Sequence, residues 1–176
     1  GILWIATRGG GLNRFDRQKN IFTAYQYDGP DGKGVSSNDT YSLLLQDSIL
    51  WIGTFDNGLN SLNLRTMAFK RYTHDPRNSA SISSNKVSSI CVDRRGIVWI
   101  GTTEGLNRWD SKTGAFERYM PKDGLPNEVV VGILEDDKGF LWLSTNRGLS
   151  RFDPQAPRGQ KFRNYNPNDG LQADEF

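Results

Sequence analysis

The chain has 176 residues, and its 22 basic and 20 acidic side chains leave a formal net charge of +2. This balance argues against a nucleic-acid-binding protein, which would carry a basic face, and no apolar run reaches the length of a membrane span. The single cysteine, Cys91, excludes an internal disulfide, and the single histidine, His74, leaves little for metal binding or histidine-based catalysis. We therefore expect no cofactor, no metal site, no nucleic-acid partner and no direct insertion of this segment into a membrane.

A short apolar motif around a tryptophan occurs four times along the chain. The copies span residues 3–7, 50–54, 98–102 and 141–145, and Gly-Leu follows each of them within a few residues. Successive tryptophans are 47, 48 and 43 residues apart. A period of roughly 40 to 50 residues built from short apolar runs is typical of a β-propeller, in which each repeat forms one blade.

Each complete copy predicts four strands in a fixed order. An inner strand is predicted at residues 40–46, 87–92 and 129–135, and the first copy has none. The tryptophan motif forms the second strand, and the third begins near the Gly-Leu pair. The outer strand carries a Phe-x-x-Tyr pair at residues 22/25, 69/72, 116/119 and 162/165. Four such runs separated by turn residues predict a four-stranded antiparallel blade.

The tryptophan strand is apolar on both of its faces. In the third copy, Val98 and Ile100 lie on one face, and Ile97 and Trp99 lie on the other. A strand with one face in water would alternate apolar and polar residues, so we expect this strand to be buried between two neighbouring blades. We accordingly interpret the repeat tryptophans as core between blades and not as a platform for stacking sugars.

These patterns predict an all-β fold that consists of a β-propeller segment with about four consecutive four-stranded antiparallel blades. The predicted blades span residues 1–30 (partial), 38–75, 85–121 and 127–167, and residues 168–176 lead into the next blade. Because the first copy lacks an inner strand, we expect the segment to belong to a larger ring. A ring of four blades is the alternative.

The connectors that precede the inner strands, at residues 35–40, 82–87 and 125–129, also repeat. Together with the Asp-x-x-Gly turns, the Leu-Trp-Ile-Gly-Thr and Gly-Leu-Asn-Arg-Phe-Asp motifs and the Phe-x-x-Tyr pairs, they make the whole chain resemble the two-component regulator propeller repeat. The resemblance implies the sensor portion of a bacterial membrane receptor, commonly two seven-bladed propellers followed by a β-sandwich and a membrane span. It further implies a periplasmic location on an inner-membrane protein, a homodimer, and an output domain that is a histidine kinase, a hybrid kinase or a diguanylate cyclase.

Turns on one face of the predicted ring are the expected recognition site. The connectors into the inner strands and the turns between second and third strands leave this same face, and loops on a rigid scaffold usually carry recognition. The predicted ligand-binding residues in these turns are Arg8, Phe55, Asp56, Glu104, Asn146 and Arg147, with Asp39, Lys86 and Glu128 nearby. Their mixed charge suits a polar, hydroxyl-rich or anionic ligand, although a merely solvated rim would have the same composition.

Other polar residues have structural interpretations. Asn38, Asn85 and Asn127 recur before the inner strands, and we predict that each holds a turn, with ligand contact as the alternative. We expect His74 to be exposed in a polar connector, and Cys91 to be a small buried residue and not a reactive thiol.

Three functions remain open on the sequence. The first is a non-catalytic segment that senses a small molecule, such as an oligosaccharide, and has the rest of the receptor chain as its partner. The second is a scaffold for protein interaction or dimerisation. The third is a propeller lyase, which the lack of any recurring acid/base set disfavours, because such an enzyme needs a positioned proton-transfer group. We predict no catalytic residues.

Overall fold

The computed structural model describes residues 1–30 and 33–173, and the regular structure within them is almost entirely β. Three sheets have four strands each, and we call them blades 2, 3 and 4. Blade 2 contains β4 (Thr40–Gln46), β5 (Ile49–Thr54), β6 (Leu59–Asn63) and β7 (Ala68–Tyr72). Blade 3 contains β8 (Val87–Val92), β9 (Val98–Thr102), β10 (Gly105–Asp110) and β11 (Ala115–Tyr119). Blade 4 contains β12 (Val130–Glu135), β13 (Leu141–Thr145), β14 (Gly148–Phe152) and β15 (Phe162–Tyr165).

Within residues 1–30 and 33–173, blade 1 has three strands, β1 (Ile2–Thr7), β2 (Gly11–Asp16) and β3 (Ile21–Tyr25), and lacks an inner strand. Single-turn 3₁₀ helices span Pro121–Asp123 and Pro167–Asp169. The second of these lies in the segment predicted to lead into a further blade, whose last three residues, 174–176, are outside the described residues. None of the helices in residues 1–30 and 33–173 has the length and hydropathy of a membrane span.

All pairings between adjacent strands are antiparallel, and each sheet follows the order of the chain. The inner strands β4, β8 and β12 lie next to one another, and β1 contacts β4, so that successive sheets follow each other around a common axis. This arrangement confirms the prediction of consecutive antiparallel propeller blades. The number of blades in a complete ring stays a prediction.

The four repeat tryptophans lie at equivalent positions on the second strands, as predicted, but they are not equally buried. Trp51 and Trp99 are 4 % and 1 % exposed, whereas Trp4 and Trp142 are only half-buried. The expectation that all four would be largely buried is therefore wrong for Trp4 and Trp142.

The packing between blades explains this difference. The Trp51 ring meets the edge of Trp109 in the next blade at 5.7 Å between centroids, and Trp99 meets Phe152 in the same way at 5.2 Å. Among the residues that the structure describes, the aromatic contacts of the half-buried tryptophans lie within their own blade, with Tyr25 for Trp4 and Tyr165 for Trp142. For Trp4, the residue of blade 2 equivalent to Trp109 and Phe152 is the smaller Leu62. For Trp142, no blade follows blade 4 in residues 1–30 and 33–173.

An aspartate six residues before the tryptophan fixes the indole in blades 3 and 4. The Asp93 carboxylate accepts hydrogen bonds from the backbone N–H of Arg95 and Ile97 at 2.9 Å and from Nε1 of Trp99 at 3.0 Å. Burial by itself raises the pKa of Asp93, but these hydrogen bonds outweigh it and leave the pKa below its usual value. Asp136 holds Nε1 of Trp142 at 2.8 Å in the same way.

Serine and glycine exchange places across the inner and second strands. Ser42 faces Gly53 and Ser89 faces Gly101, but in blade 4 the glycine is on the inner strand. There Gly132 faces Ser144, and a Cβ atom at residue 132 would lie 2.9 Å from the Ser144 Oγ. In every pair a Cβ atom on the glycine would lie within 2.9 Å of the serine Oγ, so glycine at one of the two positions avoids a clash.

Replacing Trp99 with alanine should lower the free energy of unfolding by about 3 to 5 kcal/mol, because a large buried aromatic side chain leaves a cavity. Asp56→Ala, in an exposed turn, is the control and should change it little. Denaturant titration measures both variants. Equal and small effects would contradict the packing role of Trp99.

The exchange in blade 4 can be tested with a double substitution. Gly132→Ser should destabilise the chain by about 1 to 3 kcal/mol, because its side chain meets the Ser144 hydroxyl. Adding Ser144→Gly should restore stability to within about 1 kcal/mol, the usual cost of a glycine in a strand. A double-mutant cycle from denaturant titrations gives the coupling energy, and additive effects would contradict the exchange.

Blade 3 provides the matched control for this cycle. A Cβ atom on Gly101 would lie 2.5 Å from the Ser89 Oγ and 2.9 Å from the Val130 backbone oxygen of the next blade. Ser89→Gly removes only the first of these contacts. It should therefore fail to rescue Gly101→Ala.

Candidate functional site

The turns between second and third strands lie on one face of the blades, and the repeat threonine closes each of them. Thr54 Oγ1 donates to the Gly58 carbonyl oxygen at 2.7 Å and accepts the backbone N–H of Asn57 at 3.0 Å. Thr102 and Thr145 make the equivalent pairs of bonds in blades 3 and 4. All three threonines are fully buried, so the motif Leu-Trp-Ile-Gly-Thr ends in a residue that shapes the turn.

The glycine of the Gly-Leu pair is required by the same turn. Gly58 has a φ of +79°, and a Cβ atom there would lie 2.2 Å from the Tyr72 backbone oxygen on the outer strand. A side chain would therefore clash with backbone and also adopt a strained conformation. Close contact between this turn and the outer strand explains why Gly-Leu recurs.

Buried asparagines fix the connectors that lead into the inner strands. Asn60 Oδ1 accepts the Ser36 backbone N–H at 2.9 Å, and its Nδ2 donates to the Ser36 Oγ at 2.9 Å. Asn107 holds Ser83 with the same two bonds. In blade 4 the connector has Pro126, which has no N–H to donate, and Ser150 replaces the asparagine.

Arginines on the outer strands hold the same connectors from the other side. Arg71 donates to the carbonyl oxygens of Gly29, Gly34 and Val35 at 2.8 to 3.3 Å. Arg118 likewise donates to backbone oxygens of the connector into blade 3, and burial lowers its pKa. These bonds give the rim turns a fixed position.

Asparagines 38 and 85 tie the chain that leaves one blade to the chain that enters the next. Asn38 Oδ1 accepts the Tyr27 backbone N–H at 2.8 Å, and Asn85 Oδ1 accepts that of His74 at 2.8 Å. Both contacts favour the structural interpretation of these asparagines. His74 is half-buried, with Nδ1 2.8 Å from the Ile82 carbonyl oxygen, so the prediction of an exposed histidine is wrong.

Asn127, however, is not equivalent to Asn85. It occupies the position of Ser84. Its Oδ1 accepts the Val129 backbone N–H at 2.9 Å, and the Ser84 Oγ accepts that of Lys86, also two residues further on, at 3.3 Å. Glu128 is the equivalent of Asn85, and its carbonyl oxygen accepts the Gly105 N–H at 2.6 Å. The alignment of Asn127 with Asn85 was therefore wrong by one residue. Asparagine and serine side chains can close the same kind of turn, so the residue types alone did not fix the alignment.

Two adjoining recesses open on the rim between blades 1, 2 and 3, and we call them together the rim recess. One has a volume of about 200 Å³ and the other about 140 Å³. The first is lined by Arg8, Asp39, Thr40, Tyr41 and Phe55. The second is lined by Tyr41, Phe55, Lys86, Val87, Ser88 and Thr103.

The two recesses share a pair of exposed aromatic rings. Tyr41 is 65 % exposed and Phe55 is 53 % exposed. The Nζ of Lys86 lies 5.6 Å from the centroid of the Phe55 ring, a cation–π distance. Large aromatic side chains this exposed next to charged groups are typical of a binding surface.

A β-bulge directs Tyr41 onto the rim. The register between β4 and β5 shifts between Thr40 and Ser42, so Tyr41 has no partner across the ladder. Bulges of this kind re-aim a side chain. Ser88 and Val131 occupy the same bulge position in blades 3 and 4, so blade 2 alone of these three has an aromatic ring there.

Asp39 connects the two walls of the first recess. Its Oδ1 accepts the backbone N–H of Gly9 at 2.7 Å, and its carbonyl oxygen accepts the backbone N–H of Phe55 at 3.0 Å. The first bond holds the turn that contains Arg8, and the second holds the turn that contains Phe55. Asp39 therefore sets the separation between these two turns.

The rim recess brings together only part of the predicted site. Arg8 and Phe55 line it, together with Asp39 and Lys86, which were predicted to lie nearby. The remaining predicted residues, Asp56, Glu104, Asn146 and Arg147, are exposed in the turns but do not line the rim recess. Tyr41 was missed, because only the bulge distinguishes it from an ordinary strand residue.

Cys91 is half-buried and packs against the core between blades 3 and 4. Burial raises the pKa of its thiol to about 11. A thiol with so high a pKa contains little of the reactive thiolate at neutral pH, which favours the structural interpretation of this residue.

A family model for the two component regulator propeller matches residues 81–104 and 124–147. The two segments contain the connector, the inner strand and the second strand of blades 3 and 4. Each of these two segments carries a two-component regulator propeller repeat. The resemblance seen in the sequence is thereby confirmed for these repeats.

Solved extracellular domains of two bacterial signalling systems superpose well on the chain. The extracellular domain assigned to the hybrid two component system BT3049 of B. thetaiotaomicron is 26% identical and has a TM-score of 0.82, covering 94% of this chain and 23% of that one. The chain thus spans about a quarter of the length of that structure. The extracellular domain of BT4673 from the same organism is 22% identical with a TM-score of 0.72, covering 93% of this chain and 22% of that one, and shows the fold alone.

Virginiamycin B lyase from Staphylococcus aureus has the same fold at 15% identity and a TM-score of 0.68, covering 94% of this chain and 52% of that one. At this identity the likeness extends to the fold and not to the chemistry. No curated protein matches the chain at a significant level.

Asp39→Ala should speed hydrogen exchange of the Gly9 amide by roughly three- to tenfold, because the variant removes the acceptor of one hydrogen bond. Asp39→Asn keeps the Oδ1 acceptor and is the matched control. Amide exchange followed by NMR measures both. Unchanged Gly9 exchange in the alanine variant would contradict the bridging role of Asp39.

Proposed function

We propose that the chain is a non-catalytic, ligand-sensing propeller segment in the extracytoplasmic part of a bacterial membrane signalling receptor. The observation that carries this proposal is the 26% identity to the extracellular domain of a hybrid two component system, over 94% of the chain. On this proposal the segment is periplasmic and its receptor is an inner-membrane protein. The remainder of that receptor chain is its first partner.

The rim recess is the proposed ligand site. Tyr41 is presented to solvent by the bulge in β4, and Phe55 by a turn that the Thr54 side chain closes. A pre-positioned site loses less conformational entropy when a ligand binds than a flexible loop does. The mixture of exposed rings and polar groups supports a small polar ligand, such as an oligosaccharide.

A lyase function has less support. The titratable side chains that line the rim recess are Arg8, Asp39, Tyr41 and Lys86. Asp39 already accepts the Gly9 N–H, and no titratable pair there lies within hydrogen-bonding distance among the described residues. A proton-transfer catalyst needs a positioned group within reach of the reacting atom.

A binding segment can signal only if the ligand has different affinities for two states of the receptor. The recess lies between three blades, so a ligand in it would contact turns from all of them. Any change in the relative position of these blades would alter its contacts. The proposed site is therefore suited to sense such a change.

A scaffold function is the second candidate, and exposed apolar residues in blade 1 favour it. Ile2, Leu3, Ile21 and Phe22 are all exposed there. Apolar side chains grouped in this way often mark a protein interface. We propose this surface as the contact for the rest of the receptor or for a second copy in a homodimer.

A thermal-shift screen of oligosaccharides on the intact protein tests the sensing function. We expect at least one sugar to raise the melting temperature, because ligand binding to the folded state stabilises it. Phe55→Ser and Tyr41→Ser should abolish this rise. Phe22→Ser is the matched control, because it removes an aromatic ring that is 62 % exposed but far from the rim recess, and it should keep the rise.

Two outcomes would contradict the proposed site. One is a rise that persists in both rim variants, which would place the ligand elsewhere. The other is the absence of any rise together with a self-association that Ile2→Ser and Ile21→Ser abolish in light scattering, which would favour the scaffold.

A further inference from the structure

The two ends of the rim recess differ in charge. Arg8 lies beside Asp39 at one end, so a cation and a carboxylate oppose each other there. The other end contains Lys86 with the hydroxyl-bearing Ser88 and Thr103, and no acidic side chain lines it. In the described part of the chain, neither Arg8 nor Lys86 has a carboxylate within salt-bridge distance.

We propose that the rim recess binds a ring-shaped ligand with one carboxylate and several hydroxyl groups. Its ring lies against Tyr41 and Phe55, its carboxylate beside Lys86, and its hydroxyl groups toward Arg8 and Asp39. This inference rests on the proposed ligand site and adds to it the chemistry and the orientation of the ligand.

The ring of the ligand is assigned from the two aromatic side chains that the recesses share. Tyr41 and Phe55 line both recesses, so a ligand that spans them must cross both side chains. Aromatic rings offer flat apolar surface that a ring of similar size covers well. With volumes of about 140 and 200 Å³, the two recesses together reach only the lower end of the usual range for ligand pockets, which begins at roughly 300 Å³. One or two sugar-sized rings are the appropriate size.

The carboxylate is assigned to the Lys86 end because the cation there has no acidic neighbour, whereas Asp39 offsets the charge of Arg8 at the other end. The Lys86 ammonium group already lies over Phe55, so its charge is held next to the ring wall. Asp39 would repel a carboxylate bound near Arg8. The charge distribution therefore accepts a single anion in one orientation.

The hydroxyl groups are assigned to the Arg8 end because a hydroxyl both donates and accepts. The Arg8 guanidinium can only donate, and the Asp39 carboxylate can only accept. Asp39 uses Oδ1 for the Gly9 N–H, and its other oxygen remains for a ligand donor. A pair of neighbouring hydroxyl groups satisfies both side chains.

The blade 3 to blade 4 boundary lacks this combination. The residues equivalent to Tyr41, Phe55 and Lys86 for that boundary are Ser88 and Thr103 of blade 3 and Val129 of blade 4. No aromatic ring and no cation stand at these positions. The proposed site is thus particular to blades 1 to 3 and is not a general property of the repeat.

Titration calorimetry of the intact protein with glucuronate, glucose and benzoate tests the proposal. We expect glucuronate to bind about two- to fivefold more tightly than glucose, the difference that an exposed charge pair produces. Lys86→Gln should remove this preference, and Arg8→Gln should weaken both sugars equally. Added salt should weaken glucuronate binding and leave glucose binding unchanged. Lys112→Gln, in an exposed turn outside the rim recess, is the matched control.

Several results would overturn the proposal. Equal binding of glucose and glucuronate would contradict the assignment of a carboxylate to the ligand. A preference for glucuronate that survives Lys86→Gln would show that the carboxylate does not bind beside Lys86. Because benzoate has a carboxylate but no hydroxyl groups, binding of benzoate as tight as that of glucuronate would contradict recognition of the hydroxyl groups. The absence of binding by all three probes would also overturn the ligand chemistry. The sensing function would still stand if another ligand bound in a manner that depends on Phe55.

Discussion

Burial of both faces of the second strands β5 and β9 is the constraint on which the rest of the structure depends. A strand such as β9 has no polar face, and all of its residues are buried. A sheet of this kind is stable only between two neighbours, because exposed apolar area carries a free-energy cost of roughly 25 cal/mol per Å². The blades therefore stack side by side around an axis, and the aromatic contacts of Trp51 and Trp99 with the following blade are the result.

The requirement for close packing extends to single atoms. The serine and glycine pairs between the inner and second strands leave no room for a second side chain, and in blades 2 and 3 the glycine also makes room for a valine of the next inner strand. Buried Ser42 and Ser89 hydroxyl groups have no hydrogen-bond partner among the described residues. Close approach of the strands outweighs the cost of these unpaired hydroxyl groups.

The same packing positions the turns on the rim. Buried asparagine side chains and the two outer-strand arginines hold the long connectors against the blades, and the connectors in turn carry Asp39 and Lys86. A recess made by such turns has its walls in place before a ligand arrives. The polar clamps therefore link the stability of the fold to the geometry of the candidate site.

The sequence by itself determined the repeat, the order of the strands, the turn positions and the two-faced burial, because each depends on residues within one copy of the motif. It also identified Arg8 and Phe55, which interrupt the repeat at the same turn position. Only the tertiary structure decided that Tyr41 reaches the rim, that Asp39 joins two turns, and that Trp4 and Trp142 are less buried than their equivalents. These properties arise from a bulge and from contacts between blades, and such contacts join residues about 30 or more positions apart, which the pattern within one repeat does not encode.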